Sequence, residues 1–87
     1  MTLPYRTEPP IEVWSSRDGT PERFRWRRRI QQIAAIEETW VLAGDWWEDR
    51  ARRVDRRYYR VRTEAGMACT IYRDNVTRKW HMERVYD

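Results

Sequence analysis

Glu22-Arg23-Phe24-Arg25-Trp26-Arg27-Arg28-Arg29-Ile30-Gln31-Gln32-Ile33-Ala34-Ala35-Ile36-Glu37-Glu38-Thr39-Trp40-Val41-Leu42 decides the fold, and it reads two ways. Ile30, Ile33, Ala34 and Glu37 fall on a helical stripe, and Arg, Gln, Ala and Glu favour helix. Against this, Phe24, Trp26, Ile30, Ala34, Ile36 and Trp40 share even parity, as one face of a strand requires. Only Ile33 is out of phase, which a β-bulge absorbs. A helix here also needs a broad apolar stripe, and Arg27, Arg28, Arg29, Gln31 and Gln32 leave little of one. Periodicity alone leaves both readings open.

The flanks are plainer. Downstream, Tyr59, Val61 and Thr63 alternate with Tyr58, Arg60, Arg62 and Glu64, which predicts a half-buried strand over Arg57–Thr63. Glu64-Ala65-Gly66 turns the chain, Met67–Arg73 returns it, Asp74–Thr77 turns it again, and Arg78–Tyr86 is the last strand. Two short-loop hairpins in succession make a three-stranded antiparallel meander. Upstream, Ile11–Trp14 is a short strand, followed by turn chemistry from Ser15 to Pro21 around Asp18-Gly19. Residues 1–10 hold Pro4, Pro9 and Pro10 and read as an extended arm, leaving 11–87 as one small domain. Gly44-Asp45 reads as a turn beside the tandem Trp46-Trp47, and Glu48–Asp55 as a charged loop whose acids pair with neighbouring arginines.

At 87 residues the chain has a small core, and six Trp, five Tyr and one Phe must supply much of it. Leucine occurs only at Leu3 and Leu42. The formal charge is +4, and every basic residue except Lys79 is arginine. Such a bias commonly reports a GC-rich genome; its functional reading is guanidinium chemistry on phosphate, carboxylate or aromatic faces. A pI near 9.7 permits nucleic-acid contact, although the acids are interspersed. The single cysteine, Cys69, forbids an internal disulfide and fits a reducing compartment. With no signal peptide and no apolar run of membrane-spanning length, the expectation is a soluble cytoplasmic domain. One Cys and one His make a zinc site implausible, and no cofactor pattern is present. Cys69 and His81 lie in neighbouring strands, but a catalytic pair needs an orienting group and an oxyanion site, and neither has a candidate.

Taken in order, Phe24-Arg25-Trp26-Arg27-Arg28, Gly44-Asp45-Trp46-Trp47, Arg57-Tyr58-Tyr59-Arg60-Val61-Arg62, Ile71-Tyr72-Arg73 and Lys79-Trp80-His81-Met82 form a recognisable series. It resembles the C-terminal tail domain of the ImuB-type proteins, polymerase-like members of the bacterial DNA-damage mutagenesis apparatus. It is equally similar to a family of small stand-alone bacterial proteins of unknown function that share this tail. The likeness spans about Arg23 to Tyr86. The tyrosine pair follows Arg56-Arg57 where the pattern has Arg-Asp, and Glu83-Arg84-Val85-Tyr86 matches the stand-alone proteins better. Nothing corresponds to a polymerase palm or its metal-binding carboxylates.

The resemblance favours strand over helix in the opening stretch, as a hairpin turning near Arg27–Arg29. The expected fold is therefore mainly β, with five or six antiparallel strands in a curved, half-open, barrel-like sheet. Its hydrophobic side should collect Phe24, Trp26, Ile30, Ile36, Trp40, Tyr59, Val61, Ile71 and Trp80. Strand parity puts one member of each aromatic pair inside, leaving Tyr58 outside beside Arg60 and Arg62, with Tyr72 or Arg73 nearby.

The functional expectation is a non-catalytic interaction module. The resemblance implies a setting in DNA-damage tolerance or translesion synthesis, with a protein of a repair or mutagenesis assembly, or a second copy, as partner. Trp47, Tyr58, Arg60, Arg62 and Tyr72 are the candidate contacts, because Trp, Tyr and Arg most often carry binding hot spots. The alternative is a nucleic-acid-binding surface built from Arg25, Arg27, Arg28, Arg29, Arg60, Arg62 and Tyr58. Cross-strand packing of Arg on Tyr and a solvated arginine turn are the plainer explanations of the same residues.

Overall fold

The computed structural model describes residues 3–4, 9–45 and 53–86. Its strands are β1 (Leu3–Pro4), β2 (Val13–Ser15), β3 (Pro21–Trp26), β4 (Arg29–Asp45), β5 (Arg53–Thr63), β6 (Ala68–Asp74) and β7 (Lys79–Tyr86). All are antiparallel in the order β1-β7-β6-β5-β4-β3-β2, curled into a half-barrel, and no helix occurs among the described residues. The ambiguous stretch is thus a β-hairpin. Trp26 pairs with Arg29, and the two residues between them, Arg27 and Arg28, have φ of 50° and 69°. Positive φ at both central positions is what a tight type I′ hairpin requires, and it is adopted here without glycine or asparagine. Two arginines therefore hold a left-handed conformation that L-residues rarely take.

Residues Ile11 and Glu12 form the seam. The Ile11 amide donates to the Trp80 carbonyl of β7, and the Arg25 amide of β3 donates to the Glu12 carbonyl, both at 2.9 Å. One end of the curled sheet is thereby stitched, β7 to β3, through Ile11 and Glu12. The other end stays open because β4 leaves β3 after Gln32 and runs on with β5 as far as the Asp45–Arg53 pair. Gly44 and Asp45, expected as a turn, belong to this ladder, and so do Arg53 to Asp55 at the end of the expected loop. Trp46, Trp47 and the rest of that loop lie outside the described residues.

Phe24, Val61, Cys69, Ile71, Trp80 and Met82 are buried together on the concave side, with Ile11, Val13, Trp26, Ile33, Tyr59, Met67 and Val85 packed against them. Each fully buried side chain of this class contributes about 1.5–3 kcal/mol. Trp40 does not join them, contrary to the parity argument. The β4–β5 register slips between Ile33 and Ala35 and again between Ile36 and Glu38, so Ala34 and Glu37 are extra residues. The two-residue turn pairs Phe24 with Gln31 and Trp26 with Arg29, so odd positions of β4 face inward from its start. The two bulges change the phase twice and restore it before Trp40. Ile33, Ile36, Thr39 and Val41 oppose the inward residues Thr63, Val61, Tyr59 and Arg57, while Trp40 opposes Tyr58 on the convex face. Ile30 and Ile36, also expected inside, remain 45% and 37% exposed. Ile36 points inward over the open end of the half-barrel, where little covers it.

Candidate functional site

Alternation along β5 sends Arg56, Tyr58, Arg60 and Arg62 to the convex face and Arg57, Tyr59, Val61 and Thr63 to the concave one. On the convex face the register aligns Trp40, Tyr58, Tyr72 and His81 directly across four strands. Their rings form a continuous row. Trp40 stacks on Tyr58 at 5.3 Å and 2°, Tyr58 meets Tyr72 at 5.0 Å, and Tyr72 stacks on His81 at 5.2 Å. Tyr58 is only 8% exposed, because its neighbours on both sides cover it. It lies on the expected face, yet what it presents outward is an edge. Burial holds the His81 imidazole below its usual pKa and pushes the Tyr72 phenol up.

Carboxylates answer the arginines around this row. Arg60 reaches Glu38 at 3.4 Å, Arg62 reaches Glu37 at 2.6 Å, and Arg56 lies 4.0 Å from Asp74. Arg56 also stands over the Tyr72 ring and donates to the Tyr58 hydroxyl, and Arg60 lies over Tyr86. Glu37 is a bulge residue, so the irregularity in β4 supplies one of these counter-charges. The convex face is consequently aromatic and close to neutral.

At the rim of this face β4 carries an exposed run, with Trp40 38%, Val41 51% and Leu42 46% exposed. Past Gln32, no described residue pairs with the β4 edge that faces away from β5. Where β4 parts from β3, an open trough of about 770 Å³ is lined by Trp14, Pro21, Glu22, Ile33, Ala35 and Ile36 among others.

The remaining arginine candidates lie around the β3–β4 hairpin turn. Arg25 leans on Glu12 at 3.6 Å, Arg27 stands over the Trp26 ring, and Arg25, Arg27 and Arg28 border a recess of about 280 Å³ with Pro9 and Pro10. Arg29 opens β4 opposite Trp26. The structure does not bring this cluster into the aromatic row. Tyr72 is convex, as one of the two options had it, whereas Arg73 is concave. Trp47 lies outside the described residues.

Cys69 is fully buried on the concave side, where burial pushes its thiol up to about 12. His81 sits on the opposite face, so the two do not form a nucleophile–base pair. Among the described residues no group of three or more His, Cys, Asp or Glu is placed to hold a metal ion. None of them forms a helix long and apolar enough to cross a membrane.

The sequence reading did not single out Arg57 and offered Arg73 only for the outer face, whereas the register sets the two directly opposite each other on the concave side. The signal was present: counting back along both strands from the Glu64–Gly66 turn brings these two positions together. It also missed the β4 edge that has no partner among the described residues past Gln32, which the departure from β3 reveals.

No curated protein and no solved structure matches the chain. Residues 4–87 match the family described as Domain of unknown function (DUF6504), and the chain belongs to that family.

Proposed function

We propose that this domain is a non-catalytic protein-interaction module whose docking site is the free edge of β4, with the convex aromatic row beside it. The observation that carries the reading is the stretch Thr39–Gly44, six uncharged residues on a strand edge without a described partner, three of them large and apolar. Proteins normally blunt such an edge with charge, proline or a covering element. An edge left bare is suited to strand addition, in which main-chain hydrogen bonds give affinity and side-chain pockets give specificity. Trp40 and Leu42 project on the convex side as anchors, beside the candidate contacts Tyr58, Tyr72, Arg60 and Arg62. The paired state of Arg60 and Arg62 favours a protein over a phosphate backbone, since their charge is already answered by Glu38 and Glu37. The likeness to the ImuB-type tail supports a partner within a bacterial DNA-damage tolerance assembly.

A photo-crosslinking amino acid at Leu42, used in cells with and without DNA damage, tests this. The expected result is a discrete adduct, mapped to an extended segment of one protein, that disappears with Val41→Lys. A translesion or repair protein in the adduct supports the setting, and a second copy of the chain supports strand addition alone. Adducts only to nucleic acid, or an adduct unaffected by V41K, overturn the reading.

A further inference from the structure

On the concave side, Arg57 and Arg73 face each other across β5 and β6. Side chains directly opposite in an antiparallel pair stand about 4.5–5.5 Å apart at Cβ, and like charges there are destabilising. On the convex side Arg56, Arg60 and Arg62 of β5 each have a carboxylate; here neither arginine has an ion pair among the described residues. Among the described residues Arg73 donates to the Asn75 side chain, whose own amide donates to Asp55, so that carboxylate reaches the pair only through Asn75. The β2–β3 loop folds over them and adds Arg17, so that Arg17, Asp18, Arg57, Tyr59, Arg73 and Trp80 line one recess of about 350 Å³. Asp18 does not neutralise it. Its carboxylate is occupied within its own loop, accepting from the Ser16 hydroxyl and the Thr20 amide, which hold its pKa down at about 2. Three guanidiniums thus confront one carboxylate that already has its hydrogen bonds.

We propose that this recess is an anion site that takes a phosphate group, separate from the docking edge on β4. A dianionic phosphate relieves the repulsion between Arg57 and Arg73, and its oxygens match guanidinium forks converging from two strands and a loop. A monocarboxylate has half the charge and two oxygens, too few for three forks. The Tyr59 hydroxyl supplies a further donor. Convergence on that phenol is visible in its electrostatics: burial raises its pKa, while Arg57 and Arg73 pull it down and Asp18 pushes it up. The strand pair holds two of the arginines at fixed spacing, and the Asp18 turn holds the loop that brings the third.

Thermal unfolding at matched ionic strength in inorganic phosphate, adenosine monophosphate, acetate or chloride tests the site. A ligand that binds only the folded state raises the midpoint saturably. The expected result is a saturable rise in phosphate that is absent in acetate and lost at least tenfold in apparent affinity in Arg57→Gln and Arg73→Gln. Arg60→Gln, on the convex face, should keep it. General salt exclusion acts on all variants alike, so R57Q serves as its control. Tighter binding of the nucleotide assigns a phosphate ester as the natural ligand, and equal binding assigns free phosphate. A phosphate response unchanged in R57Q and R73Q, or acetate matching phosphate, overturns the proposal.

Discussion

The two faces of β5 and β6 carry the same residue types and use them in opposite ways. Outside, Arg56, Arg60 and Arg62 are each answered by a carboxylate, and the rings of Trp40, Tyr58, Tyr72 and His81 cover one another. Inside, the apolar residues pack together, and the two arginines at the open end oppose each other with no ion pair among the described residues, Asp55 being reached only through Asn75. One face has solved its electrostatics internally and retains only apolar edges to offer. The other has solved its packing and retains unanswered charge. A protein strand suits the first and an anion suits the second.

The largest difference should appear in stability. Phe24→Ala removes a fully buried ring and should cost about 3–5 kcal/mol in denaturant unfolding. Tyr58→Ala removes a ring that is covered on two sides but has a wet edge, and roughly 2–3 kcal/mol is expected. A double-mutant cycle between Trp40 and Tyr58 should return a coupling of about 0.5–1.5 kcal/mol. Coupling near zero would mean that the convex rings are neighbours without being a unit. Thiol labelling of Cys69 belongs to the same contrast. With its thiol buried and its pKa pushed up to about 12, modification at neutral pH should proceed only through opening of the fold. F24A should therefore accelerate it strongly.

Charge removal should reverse sign between the faces. Arg60→Gln leaves Glu38 unpaired and should cost up to about 0.5 kcal/mol, the usual worth of an exposed pair. Arg57→Gln relieves a like-charge opposition and should stabilise the protein by about 0.2–1 kcal/mol in chloride. High salt should shrink both effects. If both substitutions destabilise, the concave arginines have an acidic partner and the contrast fails.

How much of this was legible from the residues depends on the range of the cause. The β5-β6-β7 meander was legible, because turns at Glu64–Gly66 and Asp74–Thr77 punctuate clean alternation. The β3–β4 hairpin was not legible from periodicity. Arg27 and Arg28 carry none of the usual signs of a type I′ turn, and the hairpin was favoured only through the family resemblance suggested by the order of the motifs. Trp40 was assigned to the wrong face because the two-residue turn pairs Trp26 with Arg29, so even positions face inward on β3 but outward where β4 begins. The bulges at Ala34 and Glu37 invert the parity twice and leave Trp40 outside. The seam through Ile11 and Trp80 spans nearly the whole chain, so no local pattern announces it. Tyr58 was placed on the correct face. Its burial was missed because three other strands supply the rings of its row.

The smallest expected effect is a pH dependence confined to the convex face. Burial against Tyr72 disfavours the His81 imidazolium and holds its pKa below the ordinary 6.5; Asp74 raises it, and Arg56 and Lys79 lower it. The unfolded chain therefore binds this proton more readily than the folded one. The stability that His81 contributes is complete above the unfolded value and is lost as pH falls through 6.5 towards the folded pKa. Between about pH 7.5 and about pH 5.5 the unfolding midpoint of the native chain should fall. His81→Phe keeps a ring on Tyr72 and removes the titration, so its midpoint should be flatter across that window. Arg57→Gln should leave the slope as it is, because Arg57 faces the other side and is not among the charges that act on His81. An equal slope in H81F and the native chain would move the titration off the ring row. It would leave the convex face neutral through its ion pairs alone.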